Sequence, residues 1–192
     1  GEKVEDGNFK QPQVWQLTED FAIDKAAETF GNLAEKSYKS FKDKAPVLAI
    51  ENLYQGMAFS RAEQMRDLVN RSRANFVKKL VDDGVSEGRA EKLAKEKIGV
   101  TWDVGHLNIM KKKGFKDKDV VEQTKLINED KSMVKHIHLT DNFGYADTHL
   151  VPGMGNVPTK AILEELEKNG RFGEMRKIVE AGGMIQHFKK LQ

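Results

Sequence analysis

Ile98-Gly99-Val100-Thr101-Trp102-Asp103 is a short, mostly apolar run that ends in a charge, and it follows a stretch from Ser86 to Lys97 that reads as a helix. The same unit recurs on either side. Val47-Leu48-Ala49-Ile50-Glu51 is an earlier run of this kind, Val134 to Thr140 a later one, and Lys177-Ile178-Val179-Glu180 the last. Short apolar runs of this sort read as buried strands. Helical patterns separate them, so strand and helix alternate four times. That order requires parallel strands joined by helical crossovers, hence an α/β fold.

The helices are read from spacing. Ala22, Ala26, Phe30, Leu33, Ser37 and Phe41 recur three or four apart, with Thr18 as the expected N-cap. A second helix opens at Ser60, paired with Glu63 as a capping box, and buries Ala62, Met65, Val69, Ser72, Phe76 and Leu80. A fourth helix, after that from Ser86 to Lys97, spans about Asp117 to Glu129. After a glycine-rich loop from Asn142 to Pro158, Thr159 caps a helix bearing Ile162, Leu163 and Leu166, and Met184 to Leu191 forms a closing helix. Residues 1–17 read as a polar tail or loop, and 18–192 as the folded domain.

Composition narrows the function. The chain has 192 residues, enough for one sizeable core without a staple. Its 32 Lys+Arg nearly balance 30 Asp+Glu, which removes the electrostatic case for a dedicated nucleic-acid binder. With no Cys, disulfides, thiolate zinc sites and a Cys nucleophile are excluded. No apolar run is long enough to span a membrane and the first residues are unlike a signal peptide, so a cytoplasmic protein is expected. The chain lacks an initiating Met and reads as a piece of something longer.

Strand parity groups the polar residues. Side chains alternate between faces, so Leu48, Ile50, Val100, Trp102, Ile137, Leu139 and Val179 mark the face packed on helices. Glu51, Asp103, His138 and Glu180 fall on the opposite face, at the carboxyl ends of their strands. Three carboxylates around one imidazole repel unless protonated or neutralised by a cation. An oxygen-rich set with one His suits Mn, Mg or Co better than a structural zinc. His136 shares this parity one layer deeper and is read as a hydrogen-bonded supporting residue. Lys111-Lys112-Lys113 reads as a solvated charge run, His187 as solvent-facing, and Gly153-Met154-Gly155 as too short for a phosphate cradle, though its free N–H groups could hold an anion.

These residues also carry a resemblance. Glu51-Asn52-Leu53, Asp103-Val104-Gly105-His106, His138-Leu139-Thr140-Asp141-Asn142, and Asp147-Thr148-His149 followed by Pro152-Gly153-Met154-Gly155 are similar, in order, to signatures of the xylose-isomerase-like barrel superfamily. That superfamily contains sugar and sugar-phosphate isomerases and epimerases and the type-IV AP endonucleases. The resemblance covers about Pro46 to Glu180. It implies the carboxyl-terminal half of a (β/α)8 TIM barrel, four strands of eight. In the epimerase branch it implies one divalent ion (Mn, Mg or Co) on Glu51, Asp103, His138 and Glu180. There the two glutamates exchange protons beside a carbonyl, His106, Asp147 and His149 contact a small sugar or sugar phosphate, and nucleic acid is not a partner. In the nuclease branch it implies a zinc cluster that adds His106, Asp147 and His149, but the early-strand histidines of that cluster have no counterpart, since His106 is the first His. A half-barrel without turnover is the third expectation. Open sheet edges further imply a homo-oligomer or association with the missing half, with Val47, Ala49, Val134 and Ile178 uncovered.

Overall fold

The computed structural model describes residues 17–182. The polar stretch before Leu17, and the expected closing helix with His187, lie outside the described residues. The element order is α1 (Thr18–Phe41), β1 (Leu48–Glu51), α2 (Ala62–Asp82), α3 (Glu87–Lys97), β2 (Ile98–Asp103), α4 (Val104–Asn108), α5 (Asp117–Asn128), β3 (Val134–Leu139), α6 (Thr159–Glu167) and β4 (Arg176–Val179). The strands form one parallel sheet in the order β1-β2-β3-β4. Every crossover carries at least one helix, as consecutive parallel strands demand. Ile50, Val100, Trp102 and Ile137 are buried in the core with Met65, Leu68, Val69 and Phe76 of α2. The Trp102 indole N–H donates to Thr124 Oγ1 on α5 (3.1 Å), so its one polar atom is satisfied inside.

β2 and β3 are out of step by one residue. Val100 pairs with Val134 but Thr101 pairs with His136, leaving Lys135 as an extra residue in β3. A Cβ on Gly99 would lie 2.5 Å from the Met133 carbonyl oxygen and 2.6 Å from Lys135 Cγ, so only glycine fits beside the bulge. Beyond it the register is regular, and Asp103 lies level with His138.

Helix α1 has the expected period with a different phase. Ile23, Ala27, Gly31 and Ala34 are buried, whereas Leu33 and Phe41 are 49% and 58% exposed. The cause is the close approach of α2: a Cβ on Gly31 would come within 2.7 Å of Asn75 Cβ. Small residues therefore hold the seam, and Phe30 and Tyr38 pack at its flanks. The expected caps also differ. Thr18 and Thr159 are the first helical residues rather than caps, which fall at Leu17 and Pro158. At α2, Gln64 rather than Glu63 reaches back, its Oε1 accepting from the N–H groups of Ser60 (2.9 Å) and Arg61 (3.2 Å). The buried stripe of α2 is the expected one. Lys111 to Lys113 close a tight turn over Ile109–Lys113, in which Lys112 and Lys113 are exposed as expected and Lys111 is not. Lys111 is drawn onto the Asn156 carbonyl (2.6 Å) and Asp117 (2.7 Å).

At the inner face Val47 and Ile178 are about half exposed, as expected for open edges, and Ala49 is half-buried. Val134 is buried, contrary to expectation. The chain entering β4 wraps that end of the sheet, with Arg171, Met175 and Arg176 lining a cavity of about 400 Å³ beside Val134.

Candidate metal centre

β1, β2 and β3 end in Glu51, Asp103 and His138–Leu139, and Glu180 follows β4 directly, its N–H bonded to the Leu139 carbonyl (3.1 Å). Parallel register and common parity bring the four side chains together. His138 Nδ1 lies 3.0 Å from Glu51 Oε1, 3.1 Å from Glu180 Oε1 and 3.7 Å from Asp103 Oδ2. One ring nitrogen thus faces three carboxylates and can donate at most one proton among them. Single donor atoms from Asp103, His138 and Glu180 lie within 4.8 Å of one another, as do atoms from Glu51, Asp103 and His106.

The carboxylates differ in exposure. Asp103 is fully buried, while Glu51 and Glu180 remain partly open to solvent. Asp103 Oδ1 accepts the His106 N–H (2.8 Å), but Oδ2 is buried without any hydrogen-bond partner. Burial pushes the Asp103 carboxyl above the usual range, with His106 opposing it.

His106, Asp147 and His149 form a second layer joined to the first. His106 Nδ1 sits 2.7 Å from the Asn52 carbonyl and Nε2 3.2 Å from Asp147 Oδ2. Both partners only accept, so both ring nitrogens donate and His106 is an imidazolium. Burial opposes that charge, but Asp147, Asp103 and the Asn52 carbonyl together raise the His106 pKa to about 9. The same contact lowers that of Asp147. Asp147 Oδ2 also accepts from His149 Nε2 (2.9 Å), and His149 Nδ1 lies 3.7 Å from Glu180. His149 has φ +48°, in the left-handed region that costs a non-glycine residue on the order of 1 kcal/mol.

Two expectations change here. His136 packs edge-on against His138 (ring centroids 4.7 Å), but its Nε2 is buried without a hydrogen-bond partner, so it supports by packing rather than bonding. Burial and the neighbouring His138 lower its pKa. The Gly153-Met154-Gly155 turn is no anion cradle, because Gly153 N–H donates to Asp141 Oδ2 (2.8 Å) and Met154 N–H to the Val151 carbonyl (3.0 Å). Asp141, Asn52 and Asn142, all buried, are the site residues that spacing missed. Asp141 holds the loop by accepting from Gly153, Val157 and Asn142 N–H groups. Its position directly after His138-Leu139-Thr140 was the only hint.

The parallel α/β sheet gathers carboxylates and imidazole at its carboxyl ends, the end at which barrel folds carry their sites. Residues 89–183, just under half of the chain, match the family described as xylose isomerase-like TIM barrel. A 76-residue stretch is 36% identical to an uncharacterized protein of Methanocaldococcus jannaschii, covering 40% of this chain and 24% of that protein. The chain thus spans about a quarter of that relative's length. A solved structure described as a D-tagatose 3-epimerase-like protein is 17% identical and aligns with 92% of this chain and 72% of its own, at a TM-score of 0.45. No helix among the described residues is long and apolar enough to cross a membrane.

Proposed function

We propose that this chain supplies the metal-holding half of a (β/α)8 barrel that acts as a sugar or sugar-phosphate isomerase or epimerase. The observation that carries the reading is Asp103 Oδ2, a buried carboxylate oxygen without a hydrogen-bond partner, His138 Nδ1 standing off at 3.7 Å, with three further potential ligands around it. Leaving such an atom unsatisfied costs about 1–3 kcal/mol, and a hard divalent cation is what its surroundings fit. Glu51, Asp103, His138 and Glu180 would hold one ion, Mn, Mg or Co. When bound, it would supply positive charge beside substrate oxygens.

The protein's own groups divide the remaining work by exposure. Asp103 is sealed from solvent and can only anchor. Glu51 and Glu180 are open enough to reach a substrate and approach His138 from the ends of the two edge strands, so they would remove and return a proton on the carbon beside a carbonyl. His106 keeps Asp147 ionised, leaving Asp147 and the half-exposed His149 to orient substrate hydroxyls.

The test is deuterium incorporation. In D₂O with Mn²⁺, the full-length protein is expected to exchange the carbon-bound hydrogen of its sugar. Glu180→Gln should abolish exchange by orders of magnitude while substrate still binds. Cleavage of abasic DNA with about three zinc ions per chain would instead establish the nuclease reading. Neither activity, with folding unchanged by chelation, would leave a half-barrel without turnover.

A further inference from the structure

We propose that Asn52 is the positioning residue of the metal centre; the proposal rests on the metal reading above. β1 stops at Glu51, and the chain then turns away, with Leu53 N–H bonded to the Phe59 carbonyl (3.0 Å). The last main-chain bond between the two strands is Asn52 N–H to the Thr101 carbonyl (3.3 Å). In a parallel ladder Thr101 and Asp103 present their N–H and C=O groups to the same neighbour. Asp103 therefore faces a rung that β1 no longer provides, in a place closed to water.

The Asn52 carboxamide fills that rung. Its Oδ1 accepts from the Asp103 N–H (2.7 Å) and its Nδ2 donates to the Asp103 carbonyl (3.2 Å). The side chain is fully buried, and it replaces a peptide group donor for donor and acceptor for acceptor. Its own carbonyl meanwhile accepts a hydrogen bond from the His106 Nδ1–H (2.7 Å), which turns the opposite ring nitrogen to Asp147.

Three site groups are thereby set by one residue. Glu51 is its covalent neighbour, Asp103 is held by its side chain, and His106 by its backbone. With the Asp103 main chain fixed and Oδ1 occupied by the His106 N–H, the remaining oxygen has one direction left, into the cluster. Neither leucine nor aspartate can substitute. Leucine has the size without the polar atoms, and an ionised aspartate accepts from the N–H but sets a negative oxygen against the Asp103 carbonyl.

A residue that only stabilises the fold would change melting temperature and leave ion affinity alone. Asn108 is the control, since it is equally buried, belongs to α4, and bonds to Asn142 and Asn156 and to none of the four proposed ligands. Co²⁺ is titrated into full-length wild type, Asn52→Ala, Asn52→Asp and Asn108→Ala, reading the visible absorption and the Kd. Loss of such supporting bonds typically costs 10–100-fold in metal affinity. That weakening, with an altered spectrum, is expected for both Asn52 variants, whereas Asn108→Ala should keep the wild-type Kd despite a lowered melting temperature. If Asn52→Ala does not fold, the near-isosteric Asn52→Asp decides. A folded Asn52 variant with wild-type Kd and spectrum would overturn the proposal. Hydrogen exchange of the Asp103 amide gives a readout that needs no metal. It should accelerate at least tenfold in Asn52→Ala, and unchanged protection would overturn the clamp. Absence of Co²⁺ binding in the wild type would sink the metal reading, while the amide exchange would still decide the clamp.

Discussion

Arg73 and Asp103 are both buried charges, one reaching from helix α2 to the amino end of the sheet and one at its carboxyl end, and their surroundings are opposites. At the amino end, the Arg73 guanidinium donates to the Ile98 carbonyl from Nε (3.1 Å) and Nη2 (2.9 Å), to the Ser132 carbonyl (3.0 Å), and to Asp130 (2.9 Å). Burial disfavours its charge, and Asp130 opposes that penalty. Every donor group of that charge is met by an acceptor within the chain or by its carboxylate. At the carboxyl end, Asp103, Glu51 and Glu180 crowd His138, and the deepest oxygen of the group has no partner. A charge that serves the fold finds its partners within the chain. A charge that serves a ligand leaves a bond unmade.

The comparison breaks most visibly in a pair of substitutions. Arg73→Met strips the donor from two main-chain carbonyls and leaves Asp130 without its cation. It is expected to cost about 3–5 kcal/mol in urea unfolding. Asp103→Asn has the opposite sign in metal-free protein. It removes a buried charge from a repelling cluster, and a gain of about 1 kcal/mol is expected, the usual trade of stability against function. Equal losses from both would show that the carboxyl end is ordinary structure.

Acid titration sharpens the amino end. Burial raises the Asp130 carboxyl, but the Ser132 hydroxyl and amide and Arg73 outweigh it, so its pKa is lowered. A carboxyl with a depressed folded pKa stabilises fully above its unfolded value of about 4, and that stability is lost as pH falls through the folded value. Melting curves of wild type and Asp130→Asn should therefore differ by a constant amount above about pH 5 and converge below. A gap that persists into strong acid would mean Asp130 acts by shape alone.

The smallest expected effect concerns the inner face. Val47 and Ile178 are about half exposed at the two edges of the sheet. Light scattering after size exclusion is expected to find species larger than the 21.7 kDa chain at micromolar concentration. A single monodisperse species of that mass would show that the edges are covered.

Much of this arrangement was legible because strands have a fixed period of two. Once Ile98 to Asp103 is a strand, parity alone puts Asp103 opposite Trp102, and the same arithmetic puts Glu51, His138 and Glu180 on that side. The bulge at Lys135 falls before His136, so it does not upset the count for the residues that matter. Helix phase was less legible, because α1 chooses its buried face by how closely α2 approaches at Gly31, a distance no periodicity encodes. The asparagines were hidden for a related reason. Asn52 and Asp103 are 51 residues apart, and nothing local separates an asparagine that completes a β-ladder from one that begins a loop. The short helix α4 was missed because Asp103 is both the end of β2 and its N-cap, accepting the His106 N–H.

The centre itself is tested most directly by thermal unfolding with and without a divalent ion. An ion that binds only the folded state adds about 2.7 kcal/mol at one hundred times its Kd. Wild-type protein is expected to melt several degrees higher in millimolar Mn²⁺ or Co²⁺, and His138→Ala should melt at the same temperature with or without the ion. A wild type whose melting point does not move would contradict the metal centre, as would a His138→Ala variant that gains as much as the wild type.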